Sequence, residues 1–269
     1  MNYYIAIPDI HGDIFKLNFA LETCNAWVKF QRKFGIISKY DTIQYVFLGD
    51  YIDRGNHSGA VLKKIEDYVI NRNAICLLGN HDMFIIGTAE DTSILLDNKL
   101  IKWSDLWEYN DGIITCKDLF GVVFDNHYNI SSKVSDWREK ILNSEYYSFL
   151  KKYGKTRYST NTIFFSHAPL SDIKNIGDSD LLWGKSSDFG NQKKDTIFKV
   201  PEPYLVSVHG HYNRLDEGIN FPRFHNYIHS GVPKTVVLAD SGCGYSGIGE
   251  LHPVVIGEND RYTNICAIL

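Results

Sequence analysis

The sequence of 269 residues is poor in the features that mark membrane, secreted or nucleic-acid-binding proteins. No apolar run approaches the roughly 18 residues that a membrane span requires. The start, Met1-Asn2-Tyr3-Tyr4-Ile5, has no basic segment followed by an apolar stretch, so no signal peptide is expected. Cysteine is sparse: five scattered residues, an odd number, without a Cys-x-x-Cys pair. That argues against a disulfide framework and for reduced thiols in a cytoplasmic protein. Cys76 and Cys266 stand in apolar, strand-like runs and are expected in the core. An excess of positive charge is also missing. Lys and Arg total 28 against 32 Asp and Glu, a net charge of -4, which argues against a general nucleic-acid binder. Linkers, low-complexity tracts and internal repeats are absent too, which favours one domain over residues 1–269. What is present is a 44% hydrophobic share, enough for a large packed core.

The chemistry-bearing residues stand at the ends of apolar runs. Asn2 to Pro8 reads as a strand and ends in Asp9-Ile10-His11-Gly12-Asp13. A carboxylate and an imidazole two residues apart on an extended segment point to one side, and both suit Zn, Mn or Fe. Asp13 reads as the N-cap of a helix that runs to about Lys33 with one buried face formed by Leu17, Ala20, Leu21, Cys24, Trp27 and Val28. A second strand, Thr42 to Leu48, delivers Gly49-Asp50-Tyr51-Ile52-Asp53-Arg54-Gly55, two carboxylates and a guanidinium between glycines. By itself this stretch fits either an acidic surface turn or a phosphate-gripping loop. A helix follows from about Ser58, and a third strand, Ala74 to Leu78, ends in Gly79-Asn80-His81-Asp82. Three successive strands with polar clusters at their carboxyl ends describe a βαβαβ unit with a shared rim.

From Met83 to about Tyr153 the pattern is helical, broken near Asp111-Gly112, with one cluster at Trp103, Leu106 and Trp107 and another from Trp137 to Leu150. This stretch, extended to residues 83–157, is expected as a helical elaboration packed on the sheet. Its basic end, Lys151 to Tyr158, is expected as a solvated loop. The second half returns to strands. Thr162 to Ser166 leads to His167, and Tyr204 to Val208 leads to His209-Gly210-His211. The Gly-rich loop Asp240 to Gly247 lacks the spacing and basic residue of a P-loop. The rim residues are then Asp9, His11, Asp50, Asn80, His167 and His211, with Asp50 the natural bridge between two divalent ions. Such a pair, about 3.5–4 Å apart, can clamp a phosphoryl group and share an activated hydroxide. His81, beside a ligand but facing away from it, can protonate the leaving oxygen.

The order Asp-x-His, Gly-Asp, Gly-Asn-His, His, Gly-His resembles the calcineurin-like metallophosphoesterase superfamily. Gly49-Asp50-Tyr51-Ile52-Asp53-Arg54-Gly55 is similar to the signature of its PPP-type serine/threonine protein phosphatases, including the bacterial and phage-like members. Ser166-His167-Ala168, Leu181-Leu182-Trp183-Gly184-Lys185 and Asp240-Ser241-Gly242-Cys243 resemble further elements of that group. The resemblance implies an α/β fold, a two-sheet αββα sandwich with a helical insertion. It implies Asp9, His11 and Asp50 around one ion and Asp50, Asn80, His167 and His211 around the other, most often manganese, with iron or zinc as alternatives. It implies His81 as the acid hydrogen-bonded to Asp53, and Arg54, Asn80 and Lys185 as phosphate contacts. Lys185 stands where a second arginine is usual, which keeps the charge and loses the bidentate fork. Asn213 stands where the wider superfamily often has a histidine. His209 has no counterpart and is expected in the core or behind a ligand. The expected activity is hydrolysis of a phosphoserine or phosphothreonine in a phosphoprotein, or of a phosphorylated small molecule, with no nucleic acid or membrane as partner. Asp53 argues for this over the alternative, a hydrolase of dinucleoside polyphosphates or related pyrophosphate bonds. A non-catalytic metal scaffold would lack a ligand or the acid, and none is lacking.

Overall fold

The computed structural model describes residues 1–96, 99–110, 112–122, 138–174, 176–184, 197–213, 219–244, 249–259 and 262–269. Two sheets face each other. The first has six strands: β1 (Asn2–Ile7), β2 (Thr42–Phe47), β3 (Ile75–Leu77), β6 (Gly154–Lys155), β12 (Val254–Glu258) and β13 (Thr263–Ile268). Their order is β13-β12-β1-β2-β3-β6. The second has five: β7 (Arg157–Ser159), β8 (Ile163–Ser166), β9 (Val206–His209), β10 (Arg223–His229) and β11 (Val232–Leu238), in the order β10-β11-β9-β8-β7.

Alternation along the strands builds the layers. Tyr4, Ala6, Val46, Leu48 and Leu77 from the first sheet meet Ile163, Phe165, Val206, Val208 and Val237 from the second. The opposite face of the first sheet, with Ile5, Ile7, Tyr45 and Phe47, packs against helices α1 (Ile14–Lys33) and α2 (Ser58–Arg72). The outer face of the second sheet is covered more thinly, by Phe198 and Val200 at one end and by Leu170 and the short helix Asp178–Trp183 at the other. This is the expected αββα sandwich. Phe47 is fully buried between these layers, and truncating such a residue to alanine costs about 3–5 kcal/mol.

Register sets the rim. β1, β2 and β3 run parallel, with Ile7 beside Phe47 and Phe47 beside Cys76, so all three chains leave the sheet at one level. β8 and β9 are parallel as well, with Ser166 beside His209. The loops then bind one another: Ile10 and His11 donate their backbone N–H to the Asp50 carbonyl at 3.0 and 2.9 Å. Asp13 caps α1 as expected, its Oδ1 accepting the Lys16 N–H at 3.0 Å, an interaction worth about 1 kcal/mol.

Between β3 and β6 come α3 (Asn80–Glu90), the hairpin β4 (Ser93–Leu96) and β5 (Lys99–Lys102), α4 (Trp103–Tyr109), α5 (Gly112–Phe120) and the helix Glu145–Tyr153. The hairpin interrupts a stretch whose pattern reads as helical, because four-residue apolar runs carry no distinguishing period. The basic stretch from Lys151 is ordered rather than a loop. Lys151 sits on a helix and pairs with Glu90 at 2.6 Å, and Lys155 lies in β6, hydrogen-bonded beside β3. Cys266 is exposed, not buried, since it lies on the outward face of the edge strand β13. Trp137 and Lys185 lie outside the described residues, as does Tyr245 to Gly247 of the Gly-rich loop. No helix among the described residues is long and apolar enough to cross a membrane.

Candidate active site

Most of the side chains expected at the rim come together through strained backbone. Among the described residues, eight non-glycine positions adopt positive φ: His11, Asp50, Asp53, Arg54, Asn73, Asp91, His211 and Ser230. Five of these are expected site residues, and left-handed backbone at non-glycine positions concentrates where function over-determines the conformation. Glycines make the approach feasible. A Cβ on Gly49, itself at φ +101, would collide with the backbone of Gly79, and one on Gly79 would collide with the Asp50 carboxylate.

Asp50 sits at the centre, almost fully buried. His11, Asp50 and His81 offer ligand atoms within 4.8 Å of one another, and so do Asp50, His167 and His211. His11 Nδ1 donates to the Ile52 carbonyl at 3.0 Å, and His167 Nδ1 donates to the Leu48 carbonyl at 2.9 Å. Each Nε2 lone pair therefore faces the site, the arrangement that backbone carbonyls impose on metal-ligating histidines. Around His167 Nε2 lie Asn80 Oδ1 at 3.1 Å, His211 Nδ1 at 3.1 Å and Asp50 Oδ1 at 3.4 Å. Two of these atoms are oxygens that accept and two are ring nitrogens able to turn a lone pair inward, a set that suits a proton on His167 or a bound cation. Nitrogen and carboxylate oxygen together fit a divalent transition ion, so the residues present suit the ions expected at this rim.

Charge states carry the same mark. Burial alone would lower His167, yet the carboxylates of Asp50 and Asp9 raise it to about 10, so that a proton fills the acceptor cluster. Burial lowers its neighbour His211 to about 3, helped by the His167 charge. Asp9 is raised well above the usual carboxylate range, by burial first and then by the charge of Asp240. Its two oxygens accept the His211 N–H at 3.0 and 3.1 Å, and its Oδ2 lies 3.9 Å from His11 Nε2. Buried carboxylates that repel one another in this way fit a site that takes up positive charge.

His81 and Asn80 occupy the first turn of α3 rather than an extended turn, so their side chains diverge by helical rotation. His81 Nδ1 donates to Asp53 Oδ2 at 2.7 Å, which leaves Nε2 toward the site, 3.9 Å from Asp50 Oδ2. Arg54 Nη1 lies 2.5 Å from His11 Nε2. A cavity of about 300 Å³ opens beside this pair and is lined also by Asp13, Phe15, Lys16 and His57.

Several supporting residues carry no signal of their own in the sequence. The Asp82 carboxylate accepts the backbone N–H groups of Asp50 at 2.8 Å, Tyr51 at 3.0 Å and Gly79 at 2.8 Å, tying the second and third loops together. Asn213 Nδ2 donates to Asp240 Oδ2 at 3.3 Å, so it braces a carboxylate behind Asp9. Ser166 Oγ donates to the Ala168 carbonyl and accepts from His209 Nδ1 at 2.9 Å. His209 is fully buried, and burial lowers it to about 3. It is thus a core histidine behind the loop of His167, as the sequence suggests.

A family model described as calcineurin-like phosphoesterase matches residues 4–215. The fold is similar to a crystal structure of a candidate diadenosine tetraphosphatase, at 14% identity and a TM-score of 0.50, covering 94% of this chain and 88% of that one. It is also similar to a metallophosphoesterase from Sphaerobacter thermophilus, at 11% identity and a TM-score of 0.48, covering 94% and 82%. A third is a protein serine/threonine phosphatase from Saccharomyces cerevisiae, at 16% identity and a TM-score of 0.46, covering 98% and 80%. Among curated proteins, none matches the sequence.

Proposed function

The chain belongs to the calcineurin-like phosphoesterase family, and from that premise we propose that it hydrolyses phosphomonoesters of serine and threonine in phosphoproteins. Asp9, His11 and Asp50 would hold one divalent ion, and Asp50, Asn80, His167 and His211 the other, with manganese as the ion proposed. When bound, such ions supply Lewis acidity toward the phosphoryl oxygens and toward the attacking water.

The observation that carries the reading is the hydrogen bond of 2.7 Å between His81 Nδ1 and the fully buried Asp53. A serine or threonine oxygen is a strongly basic leaving group and needs a proton as it departs. A nucleotide leaving through its phosphate is a weak base and needs none. An imidazole held by a carboxylate, with Nε2 directed into the site, is the group that supplies such a proton. Arg54 grips the phosphoryl oxygens as they gain charge, through N–H donors on a planar fork. A carboxylate-backed imidazole is equally the arrangement of a metal-ligating histidine, so metal content of a His81 variant separates the two roles.

One observation favours a second reading, hydrolysis of a dinucleoside polyphosphate. Phe15 and His57 lie edge to face, with ring centroids 5.2 Å apart, in the wall of the cavity beside Arg54. Such a pair could flank a nucleobase. A rate screen of phosphopeptides, nucleotides and dinucleoside polyphosphates, with manganese present, decides between them. The proposal expects kcat/KM on phosphoserine peptides to exceed that on dinucleoside polyphosphates. The reverse ranking would overturn it. The absence of disulfides between the cysteines supports a cytoplasmic site of action as part of the same proposal.

A further inference from the structure

The insertion between β3 and β6 reaches back into the catalytic centre. The Asp53 carboxylate, which holds His81, also accepts Trp107 Nε1, at 3.0 Å from Oδ1 and 3.2 Å from Oδ2. Thr115 Oγ1 donates to Asp53 Oδ1 at 2.5 Å and accepts the Asp53 backbone N–H at 3.0 Å. Trp107 and Thr115 belong to α4 and α5, and are 54 and 62 residues from Asp53 in sequence. All three side chains are fully buried. The indole of Trp107 stacks on Phe84, with centroids 6.3 Å apart and planes at 20°, and Phe84 in turn meets the edge of His81 at 5.1 Å. Gly112, at the start of α5, leaves room for the indole, since a Cβ there would collide with it.

A buried carboxylate has two oxygens and about four acceptor positions, with no water to fill those left open. Its donors do two things. They disperse the negative charge, and they fix rotation about the bond to the carboxyl group. With Trp107 and Thr115 in place, Oδ1 is committed to the insertion, and Oδ2 takes the short bond from His81 beside the longer branch from Trp107. Without either donor the carboxyl group turns or draws in water, and the imidazole loses its fixed direction.

We propose that Trp107 and Thr115 are positioning residues for the leaving-group acid, acting on His81 through the carboxylate of Asp53. The insertion then completes the active site and is more than a cover for the sheet. This rests on the reading of His81 as the acid. The hydrogen bonds suit that role, because the direction of Nε2 governs how well a proton reaches the departing oxygen.

The test compares two substrates in two variants. Thr115→Val removes the hydroxyl at nearly equal volume, and Trp107→Phe keeps the stack on Phe84 but removes the N–H. For the manganese-loaded enzyme, kcat on a phosphoserine peptide is expected to fall about tenfold or more in each. The kcat on nitrophenyl phosphate, whose leaving group needs little protonation, is expected to change less than about threefold, with KM and metal content unchanged. Thr115→Ser restores the hydroxyl and is expected to recover the peptide rate. Thermal unfolding checks that each variant folds, and Thr115→Val carries the test if Trp107→Phe does not. The low-field proton resonance of His81 Nδ1–H is a second readout, expected to move in Thr115→Val and return in Thr115→Ser.

Equal slowing of both substrates, or no slowing of either, together with an unmoved resonance, would overturn the inference and leave a packing role. His81→Ala run alongside separates this from failure of the underlying reading. If His81→Ala is selective for the peptide and the two variants are not, the inference alone falls. If His81→Ala slows both substrates equally, the acid assignment falls and the inference with it.

Discussion

The rim of the sandwich and the insertion beside it serve one site by different routes. At the rim, Asp9 and His11 come as neighbours on one short loop and Asp50 and Asp53 on another, while Asn80 and His81 open α3. Parallel register between β1, β2 and β3 brings those loops to one level. In the insertion, Trp107 and Thr115 arrive from separate helices and touch a single carboxylate. The rim supplies acceptors that a cation must satisfy. The insertion supplies donors that an anion must have. The rim cluster is therefore written in local sequence, whereas the contacts of the insertion exist only after tertiary packing.

The severest way to break that contrast is at Asp50, which is shared by both clusters of ligand atoms. Asp50→Asn is expected to lose the bound divalent ions and turnover on every phosphoester alike, measured by elemental analysis and initial rates. Retention of both ions would separate the acceptor cluster from metal binding.

His81, proposed as the acid, lies where the two regions meet. His81→Ala is expected to depress turnover of a phosphoserine peptide by about 10²–10⁴, and that of nitrophenyl phosphate far less, with metal content intact. Asn80→Ala, one residue away, is expected to weaken metal binding and to harm both substrates together. A His81→Ala protein that comes out short of metal would make His81 a ligand and move it wholly to the rim.

Arg54 belongs to the rim and is proposed to grip the phosphoryl group. A charge-assisted hydrogen bond contributes about 1.5–3 kcal/mol, so Arg54→Ala is expected to raise KM about 10- to 100-fold and to lower kcat as well. Unchanged kinetic constants would remove Arg54 from the phosphate site.

The smallest effect concerns a histidine that belongs to neither function. Burial lowers His209 to about 3 in the folded chain, against about 6.5 when unfolded. As pH falls below about 6.5 the unfolded chain gains a proton that the folded chain refuses, so stability is lost with falling pH. Between pH 6.5 and 5 the loss is about 2 kcal/mol. His209→Asn is expected to keep a hydrogen bond to Ser166 and to flatten this part of the curve, measured by denaturant unfolding at the two pH values. Parallel curves for the two proteins would refute the assignment.

How much could be read from the sequence follows from the same contrast. The strands β1, β2, β3, β8 and β9, α1 with its Asp13 cap, and the clustering of the six expected rim residues were legible because alternation, helical period and strand-end clusters are local signals. The positive φ at His11, Asp50 and His211 was not legible, since these residue types do not advertise it. Nor was the role of Trp107, whose spacing with Trp103 suits a core helix equally well. The hairpin β4–β5 was lost in a stretch too short for either period to assert itself. Cys266 was misplaced because an edge strand is as apolar in pattern as a central one. The role of Asp82 was hidden because its three partners are backbone N–H groups, which every sequence contains.

The central claim is that buried acceptors at the strand ends form a site for divalent ions that hydrolyses phosphoesters. Its most direct test is the rate on an aryl phosphate after exhaustive stripping with a chelator, followed by readdition of single metals. The account predicts loss of activity on stripping and recovery on readdition, best with manganese. Full activity in the absence of any divalent ion would contradict it.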